Sequence, residues 1–171
     1  MRSLYLLRHA KSSWDDPAPS DHDRPLAPRG RRAAELIESH LRREGIVPAL
    51  VLCSSAVRAR QTLETIEPAL GDQAEVRVEP GLYGVPQREL LDRLHDVPDT
   101  VDSVMLIGHN PAVQDLALAL SRPSPALEEL KLKYPTAALA TLVFEGPWQD
   151  LEPGTADLRA FVRPRDLREG G

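Results

Sequence analysis

The chain has a single cysteine, Cys53, little aromatic content at 4%, and no long apolar run. One cysteine cannot close an internal disulfide, so nothing asks for an oxidising compartment, and the cytoplasm is the expected location. The first apolar run, Leu4-Tyr5-Leu6-Leu7, is too short for a signal-peptide core and is broken at once by Arg8, His9 and Lys11. No other segment approaches the length that spans a bilayer. A basic excess is missing too: 26 acidic against 21 basic residues leave a formal net charge of −5. Nucleic acids and anionic membranes reward basic surfaces that displace counterions, so neither is an expected partner. Any positive site must therefore be local. The C-x5-R loop of cysteine-dependent phosphatases is absent as well, because Ala59 stands where its arginine belongs. Cys53 reads as a buried strand residue with no reactive role.

What is present suits one domain. A chain of 171 residues with 42% hydrophobic and 27% charged residues can bury an adequate core. That domain is expected to span residues 1–165, leaving 166–171 as a frayed tail. The oligomeric state stays open, with a monomer favoured. The 16 prolines fall mostly at turns and helix starts and read as punctuation.

Residues 3–7 are predicted to form a buried strand, and residues 11–28, rich in Ser, Asp and Pro, an irregular surface loop. Residues 29–44 read as a helix whose inward face carries Ala33, Leu36, Ile37 and Leu41, closed by a left-handed Gly45. A strand at 49–53 is followed by Ser54 and Ser55 as capping candidates and by a helix carrying Ala59, Leu63, Ile66 and Leu70, which Pro68 should end or kink near Glu67. A third strand is predicted at 75–78, with a short helix on Leu90, Leu91 and Leu94. The clearest strand, 103–107, leads through Gly108-His109-Asn110-Pro111 into a helix carrying Val113, Leu116, Ala117 and Leu120, with Asn110 as cap and Pro111 in the first turn. Residues 137–144 and 156–162 look like an edge hairpin. Four βα units imply an α/β fold with a mostly parallel sheet of about six strands, an antiparallel edge, and helices on both faces.

Such sheets bind ligands outside the carboxyl ends of their strands. Arg8 and His9 follow the first strand, Arg58 the second, Glu79 the third and His109 the fourth. Two arginines and two histidines in one crevice suit a phosphoryl group, whose transfer is catalysed mainly by fixed positive charge and alignment. Arginine forks hold phosphate oxygens bidentately and stay charged. A neutral imidazole can attack phosphorus and split one displacement into two. His9 could be that nucleophile, its second ring nitrogen donating to a carbonyl or carboxylate that fixes the tautomer, with His109 a charged or donating partner to the same oxygens. A metal held by His9, His22 and His109 lacks ligand spacing and would consume the nucleophile. His22, His40 and His95 read as surface or helix-face residues, and Arg60 as a solvated or salt-bridged one.

These residues carry a resemblance. Leu7-Arg8-His9-Ala10 resembles the RHG signature of the histidine phosphatase superfamily, with Ala10 where Gly is commoner. Arg24-Pro25-Leu26-Ala27-Pro28-Arg29-Gly30 resembles that family's R-P-L-x-x-x-G stretch. Ser54 through Thr62 is similar to its S-x-x-x-R-A-x-Q-T segment, and Gly108-His109-Asn110-Pro111 to its second-histidine motif. The nearest likeness is to the small bacterial SixA-like phosphohistidine phosphatases. The resemblance implies a three-layer α/β/α sandwich of phosphoglycerate mutase type. It implies His9 as nucleophile, with Arg8, Arg58 and His109 as its phosphate pocket and no cofactor or metal.

Phosphoglycerate mutases and many relatives carry a Glu general acid a few residues before a Tyr-Gly pair. Here Glu79 lies one residue farther upstream of Tyr83-Gly84 than in that pattern. Glu79 is the first candidate acid, with Asp21 or Asp23 as alternatives. Lys11, Ser12 and Trp14 are candidate substrate contacts. A shifted acid favours a phosphohistidine, whose leaving imidazole is less basic than an alkoxide, and the short chain leaves a site open to a phosphate displayed on a protein. The expected substrate is therefore a phosphorylated protein or a small phosphate ester. The alternatives are a small-molecule phosphomonoesterase or mutase, and a non-catalytic phosphate-binding module.

Overall fold

The computed structural model describes residues 1–15 and 20–169. Strand β1, Arg2–Arg8, divides its side chains between two cores, with Leu4 and Leu6 facing one and Tyr5 and Leu7 the other. Strands β2, Leu50–Ser54, and β4, Ser103–Gly108, repeat the division: Leu50, Leu52, Val104 and Leu106 on the first side, Val51, Cys53, Met105 and Ile107 on the second. Burial on both faces is why these segments are continuous apolar runs and show no polar alternation.

The sheet order is β3-β2-β4-β1-β5-β6. Strands β1 to β4 are parallel; β3 is Glu75–Glu79. Strands β5, Leu139–Phe144, and β6, Asp157–Val162, form an antiparallel pair, with β5 also antiparallel to β1. Helices α3, Gln87–His95, and α4, Ala112–Leu120, cover the first face. Helices α1, Pro28–Glu44, and α2, Val57–Leu70, cover the second. The result is the three-layer α/β/α sandwich. Among the described residues no helix is long and apolar enough to cross a membrane.

Helix α1 ends as its sequence predicts, with Gly45 at φ 64° donating to the carbonyls of Arg42 and Leu41. Its buried stripe uses Ala34 where Leu36 was expected, and Leu36 stays half-exposed. Helix α2 runs through Pro68 to Leu70 and does not stop at Glu67. Pro68 is exposed, so water can meet the carbonyl left without a donor, while buried Ala69 and Leu70 hold the last turn on the core.

Three segments depart further from expectation. Residues 11–28 have paired limbs: Ser12 bridges Leu26, Ser13 donates to Pro25 at 2.8 Å, Ala27 donates to Lys11 at 2.9 Å, and Leu26 is buried. Residues 16–19 of that loop lie outside the described residues. Helix α5, Leu127–Leu132, has no counterpart in the sequence reading, being too short to show a helical period. The expected frayed tail is a correction as well, because Pro164–Glu169 forms α6, with Pro164 buried and Leu167 packed against the α1/α2 core. Asp166 seats its start by accepting from the Arg163 backbone at 3.0 Å. Gly170 and Gly171 lie outside the described residues.

Candidate active site

The carboxyl ends of β1, β2 and β4 open on a crevice of about 250 Å3 lined by Arg8, His9, Lys11, Ser12, Arg58 and His109 among others. His9 leaves the sheet with its backbone pinned: its N–H donates to Gly108 at 3.0 Å, and its carbonyl accepts from Ala137 at 3.1 Å. The Ala137 N–H also reaches the Arg8 carbonyl at 3.0 Å, and Ala137 sits at φ 63°, a left-handed conformation costing an alanine roughly 1–2 kcal/mol. Backbone strain of this kind collects at functional sites.

The His9 ring is 7% exposed, and its Nδ1–H donates to the Ala10 carbonyl at 2.7 Å. A carbonyl only accepts, so the proton sits on Nδ1 and Nε2 carries a free lone pair. Burial, opposed by that carbonyl and reinforced by His109, Arg58 and Arg8, brings the His9 pKa down to about 3. The same logic fixes His109. An Arg58 Nη2–H points at its Nδ1 at 3.4 Å, so Nδ1 accepts and Nε2–H donates to Ser54 Oγ at 2.7 Å. Burial, with Arg58 beside it, lowers the His109 pKa to about 4. Without a bound anion His109 is therefore neutral, and an incoming dianion supplies the opposite charge that favours its protonated form.

The two rings lie 5.0 Å apart, centroid to centroid. Arg58 is 7% exposed, and its Nε–H approaches His9 Nε2 at 3.4 Å. Arg8 donates to the Tyr134 carbonyl at 2.9 Å while its Nε is buried without a partner among the described residues. Burial and the neighbouring Arg58 charge pull the Arg8 pKa below its usual value. The loop is tied to α2 through one hydroxyl: Thr62 Oγ1 accepts from Ala10 N–H at 2.9 Å and donates to the Arg58 carbonyl at 2.8 Å. Gly30 is required by close approach, since a Cβ there would stand 2.1 Å from the Lys11 carbonyl oxygen.

None of the three candidate acids lines the crevice around His9. Glu79 is gripped from both oxygens by Arg93, at 2.7 and 3.0 Å, and does not line the crevice. An acid engaged by both arms of a guanidinium is a poor proton donor. Asp21 sits at the rim, where its carboxylate accepts from Tyr83 Oη–H at 2.6 Å, Arg58 Nη2 at 3.1 Å and Arg24, and its carbonyl takes Arg58 Nη1 at 2.7 Å. The Tyr83 hydrogen bond and the two arginines hold its pKa at about 2. Asp23 is exposed and faces His22 at 3.1 Å.

Several participants escaped the sequence reading. Arg24 is buried, lines the crevice, and lies 3.4 Å from the Trp14 ring centroid; its Nε and Nη1 have no partner among the described residues. Its place in the Arg24-Pro25-Leu26 motif was the available signal. Ser54 is no helix cap; Ala56 is the N-cap, and the Ser54 hydroxyl serves His109 and the Ala56 N–H at 3.3 Å. Helix α4 starts at Ala112 with Pro111 at its N-cap, and Asn110 Oδ1 accepts from Gln114 N–H at 3.3 Å. His22 joins the rim, hydrogen-bonded to Ser55 at 2.9 Å and edge-on to Tyr83 at 4.8 Å. Among the described residues no three His, Cys, Asp or Glu side chains are grouped to hold a metal.

A cationic crevice around a buried, unprotonated imidazole is built for anion capture and nucleophilic attack. Comparison with known proteins agrees with that chemistry. The family model of the Histidine phosphatase superfamily (branch 1) matches residues 4–136. An uncharacterised protein of Mycobacterium tuberculosis strain H37Rv is 40% identical over 163 residues, covering 93% of this chain and all of that protein. Two solved structures provisionally named as the phosphohistidine phosphatase SixA are similar throughout. One, from Nakamurella multipartitia, has a TM-score of 0.80 at 35% identity, covering 95% of this chain and 96% of its own. The other, from Agrobacterium tumefaciens, has a TM-score of 0.81 at 30% identity, covering 95% and 98%.

The chain thus belongs to the histidine phosphatase superfamily, branch 1, as a histidine-dependent phosphatase. Within that superfamily its likeness is to the SixA-like branch.

Proposed function

We propose that the protein hydrolyses phosphohistidine displayed on another protein, through a covalent phosphoryl intermediate on His9. In the first step His9 Nε2 attacks phosphorus, the bond to the substrate imidazole breaks, and that imidazole takes a proton from solvent. In the second, water attacks phosphorus, the His9 N–P bond breaks, and inorganic phosphate leaves. Arg8, Arg58 and His109 hold the equatorial oxygens through both displacements.

The observation that carries this reading is the tautomer of His9: Nδ1–H is committed to Ala10, and Nε2 is unprotonated, met only at 3.4 Å by the Arg58 Nε–H among the described residues. The carboxylates add the substrate preference. Glu79 is bound by Arg93 and Asp21 is ionised, which leaves an alkoxide leaving group without a proton source and suits an imidazole that departs with little help. The SixA naming of the two similar structures supports the same substrate class.

The test is a substrate panel with trapping. Purified protein should dephosphorylate a phosphohistidine protein far faster than phosphoglycerates or nucleotides, with acid-labile phosphate recovered on His9 during turnover. Efficient turnover of the small esters with phosphohistidine left intact would assign it instead as a small-molecule phosphomonoesterase. Absence of the adduct together with full activity in His9→Ala would defeat the covalent route.

A further inference from the structure

The crevice opens sideways into a larger groove of about 660 Å3, the two sharing Lys11 and Thr136. Lys11, Arg29, Lys133, Arg163, Arg165 and Arg168 line it against one carboxylate, Glu129. In a chain with 26 acidic and 21 basic residues, six cations to one anion is a local reversal of the overall charge. Arg163 is bonded to Asp166 at 3.0 Å and lies 3.7 Å from Glu129. Among the described residues no ion pair engages the other five.

Beyond the groove a further hollow of about 620 Å3 continues along α1, sharing Arg29, Ala33 and Arg168 with it and reaching Ser39. The stretch of α1 from Arg29 to Ser39 covers about 15 Å at the helical rise. That alone accommodates roughly four or five extended residues at about 3.3 Å each. Crevice, groove and hollow form one trough too long for a compact metabolite. Its walls also offer apolar contact, with Leu36 half-exposed and Leu132 86% exposed.

We infer that this trough docks an extended acidic segment flanking the phosphorylated residue of a protein substrate, an assignment that rests on the phosphoprotein reading above. Helix α6 supplies Arg165 and Arg168, and α1 supplies Arg29, so recognition depends on the packing of the two helices. Single exposed ion pairs contribute little, so several must act together, and the docking is strongly weakened by salt.

The experiment measures, by fluorescence anisotropy on the full chain, binding of two labelled peptides carrying a non-hydrolysable phosphohistidine analogue, one flanked by glutamates and the other by serines. The glutamate-flanked peptide should bind about tenfold tighter at low salt, with the preference lost at high salt. The double variant R165E/R168E should erase the preference, and K133E, outside α6, should reduce it. Turnover of phosphoramidate, too small to leave the crevice, should stay within about twofold in both variants and reports that they are folded. Equal affinity for the two peptides, or a preference that survives R165E/R168E, overturns the inference. Turnover of phosphoramidate but of no phosphohistidine peptide would sink the phosphohistidine reading, while the anisotropy comparison still decides the trough.

Discussion

Two arginine sites stand at the carboxyl end of this sheet, and they are built oppositely. At the edge, beyond β3, Arg93 and Glu79 close on each other through two hydrogen bonds, charge against charge, with both side chains about a quarter exposed. At the centre, beyond β1, β2 and β4, the charges do not cancel. Arg8, Arg24 and Arg58 crowd around two neutral imidazoles, and Asp21, the one carboxylate among the described residues that pairs with them, binds from the rim. A closed pair has little left to offer a ligand. A cluster that stays cationic keeps its attraction for an anion, and its charge adds to the burial that depresses the pKa of its histidines.

The sharpest way to break that contrast is to remove His9, the proposed nucleophile. His9→Ala should abolish turnover and leave no phosphoryl adduct, read by stopped assays and acid-labile phosphate. Next come the clamps: Arg58→Ala and Arg8→Ala should each lower kcat/KM by about 10²–10³-fold, or about 2.7–4 kcal/mol of transition-state stabilisation, as when one oxyanion donor is lost. Gly30→Ala should destabilise the fold by about 1–3 kcal/mol in urea unfolding, because a Cβ there meets backbone that cannot move aside cheaply.

A pH series tests the central cluster as a whole. His9 and His109 are held at about 3 and about 4 when folded, against 6.5 ordinarily. Between those limits the unfolded chain binds more protons than the folded one, so their contribution is fully present above about pH 6.5. It falls as pH drops below about 6.5 and levels off once pH has passed 4 for His109 and 3 for His9. Urea midpoints should decline over that range, less steeply in His9→Ala. The kcat/KM of the free enzyme should show no histidine limb near 6.5 once the ionisation of the substrate is accounted for. The edge pair gives the smallest effect: Glu79→Gln should cost under about 1 kcal/mol of stability and leave kcat/KM within about twofold. A large loss of activity there would restore Glu79 as the acid and erase the contrast.

The fold was legible because its central strands obey a local rule. Runs such as Leu50 to Cys53 are apolar on both faces, and only a covered parallel sheet needs that. The crevice residues were legible for a related reason, since Arg8 ends β1, His9 and His109 directly follow β1 and β4, and Arg58 lies in the first turn of the helix after β2, strands whose ends must converge. The acid was not. Glu79 occupies a strand end like the others, and its sequence says nothing of Arg93, fourteen residues on, which reaches it from the last turn of α3. Arg24 and Asp21 come from a loop whose seating on Gly30, Thr62 and Gln61 is set by contacts remote in sequence; Leu26 N–H, for one, donates to Gln61 Oε1 at 2.8 Å. Helix α6 was lost because six residues, four of them charged, carry no period, and only buried Pro164 and Leu167 on the α1/α2 core declare their structure.

By itself, then, the sequence determined the layered α/β architecture, the strand-end rule and the three residues gathered around His9, because hydrophobic periodicity and strand termini are local properties. Only the tertiary structure decided which carboxylates are spent on arginines, which nitrogen of each histidine carries its proton, and that the basic tail lines a trough beside the crevice. Those depend on distances between groups far apart in the chain, and a charge cannot be read as free or satisfied until its neighbours in space are known.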